Sequence, residues 1–146
     1  MKSAKKGPAH LLRLEKGEKI VETLTAYCLR QRIGAAFFQG LGTCRKAELG
    51  FFRTARQRYF VRTFRGDREI ASLQGNVSLL EGKPFVHAHI VISGRDFLAR
   101  GGHLVEAEVQ ATCEIVILPL RGTVRRRFEP GSGLSLWDLG SGRKLR

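Results

Sequence analysis

The chain has 146 residues, the size of one ordinary domain with a core of its own. Its 42% apolar and 27% charged content is that of a soluble globular protein, and no apolar run approaches the roughly 18–20 residues that span a bilayer. The 26 Lys and Arg against 13 Asp and Glu leave a net charge of +13, a field that draws polyanions such as nucleic acid, or small anionic metabolites.

Residues 1–8 form a basic leader that meets further charge before any long apolar stretch, so it does not read as a secretory signal and a cytoplasmic protein is expected. Next, Ala9–Leu14 has the texture of a strand. From Gly17 to Gly34 the apolar residues Ile20, Val21, Leu24, Tyr27 and Cys28 recur at one-face helical spacing, with Lys19, Glu22 and Arg30 off that face. Gly34 is the expected stop. From Ala35 onward the chain becomes a series of short strands punctuated by glycine: 35–40, 46–52, 58–64, 68–80, 84–93, 103–118 and 123–129. In the sixth, Val105, Ala107, Val109, Ala111, Cys113 and Ile115 alternate with Glu106, Glu108, Gln110, Thr112 and Glu114, which predicts one core face and one outer face. One helix and about seven strands predict a sheet-dominated α+β domain, with the helix covering one face. Residues 129–146, rich in Gly and Ser and ending basic, are expected to be a loosely held tail, pinned if at all by Trp137. The odd, widely spaced Cys28, Cys44 and Cys113 fit reduced core thiols, not a disulfide framework or a zinc ribbon.

The stretch Phe85–Leu104 holds three of the four histidines. Strand alternation puts His87 and His89 on one side, opposite Val86, Ala88, Ile90 and Ile92. If the next strand returns as a hairpin, pairing His89 with His103 centres the turn on Asp96 and brings His103 to the same place. Three histidines with an open fourth position are a zinc arrangement of the catalytic kind. Three unrelated polar residues on a half-buried sheet fit the spacing as well, since no cysteine joins the cluster and HExxH is absent. Gly101 and Gly102 favour close approach of backbone or ligand there. The Gly40 and Gly42 pair reads as a turn, or else as a backbone cradle for an anion.

The segments "REIASLQGNVSL", "GKPFVHAHIVIS" and "GGHLVEAEVQATCEIVI", with "RLEKGEKIVETLTAYCLRQRIGAAFFQGLGTCRKAELGFF" upstream, resemble in that order the plants-and-prokaryotes conserved (PPC) domain. That domain, also classed as a domain of unknown function, occurs in plant AT-hook nuclear proteins. The resemblance covers residues 9–128 and implies an acetolactate decarboxylase-like α+β fold with a central, largely antiparallel seven-stranded sheet and a flanking helix, a homotrimer, DNA binding, and a metal, zinc foremost, on His87, His89 and His103. The R-G-R-P core of an AT-hook is missing, and of the plant partner-binding motif only Gly66, Glu69 and Ile70 match. DNA binding would then rest on charge: three copies of +13 give +39. Arg53, Arg56 and Arg58, with Arg125, Arg126 and Arg127, are the candidate phosphate contacts. The alternative is a zinc-dependent lyase or hydrolase, or a binding protein for an anionic small molecule. In that reading Glu69 or Glu114 acts as general acid–base and Asn76 or an arginine orients the ligand.

Overall fold

The computed structural model describes residues 1–140. In chain order the elements are β1 (Lys2–Lys6), β2 (Ala9–Glu15), α1 (Ile20–Arg30), β3 (Ala36–Arg53), β4 (Arg58–Leu80), β5 (Lys83–Ser93), β6 (Ala99–Pro119), β7 (Arg125–Glu129) and β8 (Leu134–Asp138). All eight strands belong to one sheet, against the seven predicted: the basic leader adds β1 as a partner for β2, β8 is added beyond β7, and two pairs of predicted strands merge. The strand β8, inside the stretch expected to be a loose tail, forms a hairpin with β7. Every pairing is antiparallel except one bridge between β4 and β7. β3 pairs with β4, β4 with β5, β5 with β6 and β6 with β3, so these four strands close a ring of pairings.

The apolar stripe of α1 behaves as its spacing predicts: Ile20, Leu24, Tyr27 and Cys28 are buried, and the helix lies across β5 and β6. Its N-terminus has no side-chain cap of its own. Instead the Glu106 carboxylate on β6 accepts the backbone N–H of Val21 at 2.8 Å and of Glu22 at 3.1 Å, satisfying two orphan donors where the helix dipole also favours an anion. The helix stops before Gly34, with Arg32 taking the left-handed turn at φ 55°. Between helix and sheet sit Leu14, Phe38, Leu73, Val77, Ile90, Ile92, Val109, Ile115 and Ile117. The three cysteines are free and buried, and burial pushes the Cys28 and Cys113 thiols up to about 12 and the Cys44 thiol up to about 11.

Glycines that look like breaks in the sequence are absorbed inside long strands. The predicted strands 35–40 and 46–52 are one strand, β3, with register shifts at Gly40/Gly42 and Cys44/Lys46. Neither the turn nor the anion cradle expected at Gly40 and Gly42 is present. The two glycines sit flat against β6, where an added Cβ would lie 2.7 Å from the Glu114 carbonyl oxygen and 2.3 Å from that of Thr112. The predicted strands 58–64 and 68–80 likewise run on as β4, with Gly66 at φ +89° carrying the shift. The same irregularities explain why the alternation of β6 holds only in part. The register slips between Glu48 and Leu49, so Leu104 turns inward and Val105 is exposed. A second slip, between Gly42 and Cys44, leaves Ala111 outside.

Gly75 decides how closely β5 can lie on β4. A Cβ there would meet the His87 carbonyl oxygen at 2.2 Å and Phe38 Cζ at 2.6 Å. Gly75→Ala should therefore cost about 3 kcal/mol, the upper end of the overpacking range, measured as a lower urea midpoint. Gly82→Ala, at φ +78° with open space around it, should cost about 1 kcal/mol.

Candidate metal centre

β5 presents Val86, Ala88, Ile90 and Ile92 to the core and holds His87 and His89 on the other face. β6 returns antiparallel with His89 opposite His103, the pairing that a turn centred on Asp96 requires. Gly94 accepts the Phe97 N–H at 2.9 Å and the Asp96 carboxylate accepts the Leu98 N–H at 3.1 Å, closing that turn. On its other side His103 pairs with Gly50 of β3, so it stands where β6 passes from one partner strand to the other.

The three rings converge, with centroids 5.3–5.7 Å apart and one nitrogen from each within 4.8 Å of the others. A tetrahedral ion with bonds of 2.0–2.1 Å needs about 3.4 Å between ligand nitrogens, which small χ rotations supply. His103 Nδ1 is buried with no hydrogen-bond partner, and a buried imidazole nitrogen left open is what a metal would fill. Burial, reinforced by the Arg126 charge and the other rings, lowers His87 to about 4, and burial also lowers His103. Both are neutral at pH 7, the form that ligates. The residues therefore fit a divalent ion. Three nitrogen donors suit zinc, which would polarise a bound carbonyl or acidify a bound water. The fourth histidine, His10, is elsewhere, its Nδ1 3.1 Å from the Tyr27 hydroxyl.

A second layer surrounds the cluster. Arg126 is half-buried and its guanidinium is tied on all sides. Nε donates to Ser78 Oγ at 2.7 Å, Nη2 to Asn76 Oδ1 at 3.0 Å, and Nη1 to the Ser135 carbonyl at 2.8 Å. Nη2 also stands 3.4 Å from His87 Nδ1, and the plane covers the Phe85 ring at 4.9 Å. Asn76 pairs directly with His87 across β4 and β5. Tyr59, which the sequence reading overlooked, lays its ring over His103 with centroids 4.9 Å apart and planes at 32°. Gly50 makes room for it, since a Cβ there would lie 2.8 Å from Tyr59 Cδ1. No local pattern announces that contact, because the partners are more than forty residues apart.

The other candidates scatter. Gly102 lies beside His103, and a Cβ on it would approach the Gly50 carbonyl oxygen at 3.1 Å; Gly101 packs against Ile90 and Val91. Glu69 is exposed opposite Ser93 and borders a hollow with Arg68, Arg95 and Phe97. Glu114 is exposed opposite Leu41 and borders a separate hollow with Gln39 and Gln74. Neither hollow is lined by a histidine. Arg53, Arg56 and Arg58 stand exposed at the tip of the β3–β4 arm, while Arg125 and Arg127 are exposed on β7. Gln57 Nε2 at that tip donates to the carbonyls of Pro130 and Gly131 at 3.1 and 3.2 Å, which ties the tip to the turn of the β7–β8 hairpin. Arg126 points the other way, to the histidines.

A sheet-dominated fold with one helix and a three-histidine cluster at a hairpin crossing defines a class of small β-rich proteins able to carry a metal. The Plants and Prokaryotes Conserved (PCC) domain family model matches residues 1–121, and the chain belongs to that family. No curated protein matches it in sequence. Among solved structures, a protein of Bacteroides thetaiotaomicron provisionally described as DNA-binding superposes with a TM-score of 0.91 at 28% identity, over 94% of this chain and 96% of that one. The metal-containing protein AF0104 from Archaeoglobus fulgidus does so with a TM-score of 0.85 at 36% identity, over 91% and 94%. A Staphylococcus aureus protein of unknown function similar to α-acetolactate decarboxylase shares the fold alone, with a TM-score of 0.56 at 14% identity over 83% and 54%.

The depressed histidines set a pH dependence for the metal-free protein. The unfolded chain takes up protons at His87 and His103 from about pH 6.5 downward, whereas folded His87 resists until near 4. Protons therefore favour unfolding, and stability should fall as pH drops from about 6.5 to 4 and then level off with respect to His87. Chemical denaturation across that range, beside the same series on His87→Asn, checks it; the variant should show a shallower fall.

Proposed function

We propose that this protein is a DNA-binding member of its family, assembled as a homotrimer, in which His87, His89 and His103 hold a zinc ion. The observation that carries the DNA reading is the arginine surface: Arg53, Arg56 and Arg58 at the β3–β4 tip and Arg125 and Arg127 on β7 stand exposed on a chain of net charge +13. Backbone phosphates are the partner such a surface suits, with affinity that comes from counterion release and carries little sequence preference. The provisional description of the Bacteroides relative supports the same reading. Arg126, whose N–H groups are engaged inside the protein, contributes its charge to the histidine centre and not to phosphate contact. The homotrimer finds support in the outer sheet face, where Leu11, Leu41 and Leu118 are exposed apolar residues. No helix among the described residues is long and apolar enough to cross a membrane.

One observation favours a second reading, a zinc-dependent small-molecule enzyme or ligand-binding protein. His87 and His89 open onto a cleft of about 410 Å³, a size that suits a small ligand. Glu69 and Glu114 do not line it, so an acid–base role for either requires a rearrangement, and ligand binding is the simpler form of this alternative.

Two measurements test the proposal. Protein purified without a His-tag should carry about one zinc per chain by elemental analysis, and His89→Ala or His103→Ala should lose nearly all of it. DNA affinity should fall steeply with salt. Arg53→Gln, Arg56→Gln and Arg58→Gln together should lower the log–log salt slope by about 2–3, while His89→Ala leaves it unchanged. An unaltered slope in the triple variant would remove the arm from the DNA surface.

A further inference from the structure

The cleft beside the histidines has two unlike halves. His87, His89, Gln74 and Asn76 form one wall, and Phe37, Leu120, Val124, Trp137 and Leu139 form the other. The apolar wall depends on the β7–β8 hairpin, and the family match ends at residue 121, so Val124, Trp137 and Leu139 lie past it. A single parallel bridge, Leu79 with Arg125, joins that hairpin to the rest of the sheet. Arg126 adds the anchor by reaching Ser78, Asn76 and the vicinity of His87 from β7, and so holds its register partner Trp137 in the wall of the cleft.

Charge selects the occupant. Among the described residues lining the cleft none is acidic. The three ligands are imidazoles, which bring no negative charge, and the Arg126 guanidinium stands 3.4 Å from His87 Nδ1. A divalent ion held there has no carboxylate in the cleft lining to offset it, which favours an anionic fourth ligand. The apolar wall then has to be met by the rest of the same molecule.

From this we infer that the cleft binds a small monocarboxylate with an apolar body, its carboxylate on the three-histidine ion and its body between Trp137, Leu139 and Phe37. The inference rests on the metal reading of His87, His89 and His103. Gln74 and Asn76 offer amide groups to the carboxylate oxygen that faces away from the ion. The Arg126 charge adds to the attraction without giving up its own hydrogen bonds.

Trp137 is the single tryptophan of the chain, so it reports from the wall of the cleft without a label. The experiment loads metal-free protein with one equivalent of cobalt(II) and titrates phenylacetate, acetate and benzyl alcohol, following the visible cobalt bands and Trp137 fluorescence. Phenylacetate should shift the bands and quench the fluorescence together, binding at least about tenfold more tightly than acetate, the order expected from burying one ring. Benzyl alcohol should do neither at the same concentrations, and phenylacetate should not quench the cobalt-free protein. Trp137→Ala should keep the cobalt bands, which also report an intact centre, and weaken phenylacetate about tenfold. Cobalt bands that appear but stay unmoved by carboxylates would overturn the inference and leave the metal reading standing, as would equal affinity for acetate and phenylacetate or an unaffected Trp137→Ala. Failure of cobalt bands to appear at all would instead defeat the metal reading, and this inference with it.

Discussion

The register between β5 and β6 is the constraint on which the rest of the site depends. Five pairs, from His89 with His103 to Ser93 with Ala99, tie the two strands together. Ile90 and Ile92 are sealed in the core on the opposite face, so sliding β5 by one residue would expose both isoleucines and drive His87 and His89 inward. Burying an isoleucine against water is worth about 2 kcal/mol, whereas an unpaired imidazole in the core costs a similar amount, so the two terms penalise the slip together. The histidine cluster is thus held in place by apolar packing on the far side of the sheet.

Glycine placement sets how far the remaining groups can close in. Gly75 lets β5 lie against β4, Gly50 admits the Tyr59 ring onto His103, and Gly102 lets β6 approach β3 beside that ring. None of these three has a positive φ; close approach is their use here, not a left-handed turn. The result is a packed second layer of Tyr59, Asn76, Ser78 and Arg126 behind rings that remain open on the cleft side. Such backing orients ligand rings and limits their rotation, which is what a metal centre requires of its surroundings.

The positive charge of the chain divides into two roles. The arm tip and β7 carry exposed arginines, of which Arg127 pairs with Asp138 at 3.4 Å, while Arg126 is drawn inward and satisfied by neutral acceptors. Neighbours in sequence, Arg125, Arg126 and Arg127 point alternately because strand side chains do. One tripeptide therefore serves both the outer surface and the histidine centre.

Much of this was legible in the residues themselves. The helical stripe of α1, the alternation that separates Ile90 and Ile92 from His87 and His89, and the turn centre that matches His89 to His103 are local or symmetric patterns, and periodicity carries them directly. What only the tertiary structure decided depends on register shifts and on contacts distant in sequence. The slips at Gly40/Gly42 and Glu48/Leu49 turned predicted breaks into continuous strands and put Leu104, not Val105, into the core. Tyr59 over His103, Arg126 behind His87, Glu106 capping α1 and the β7–β8 wall of the cleft each join segments about forty residues or more apart. The physical reason is that a strand's outward face follows from its own alternation, whereas what covers that face is chosen by the strands and hairpins that come to lie beside it.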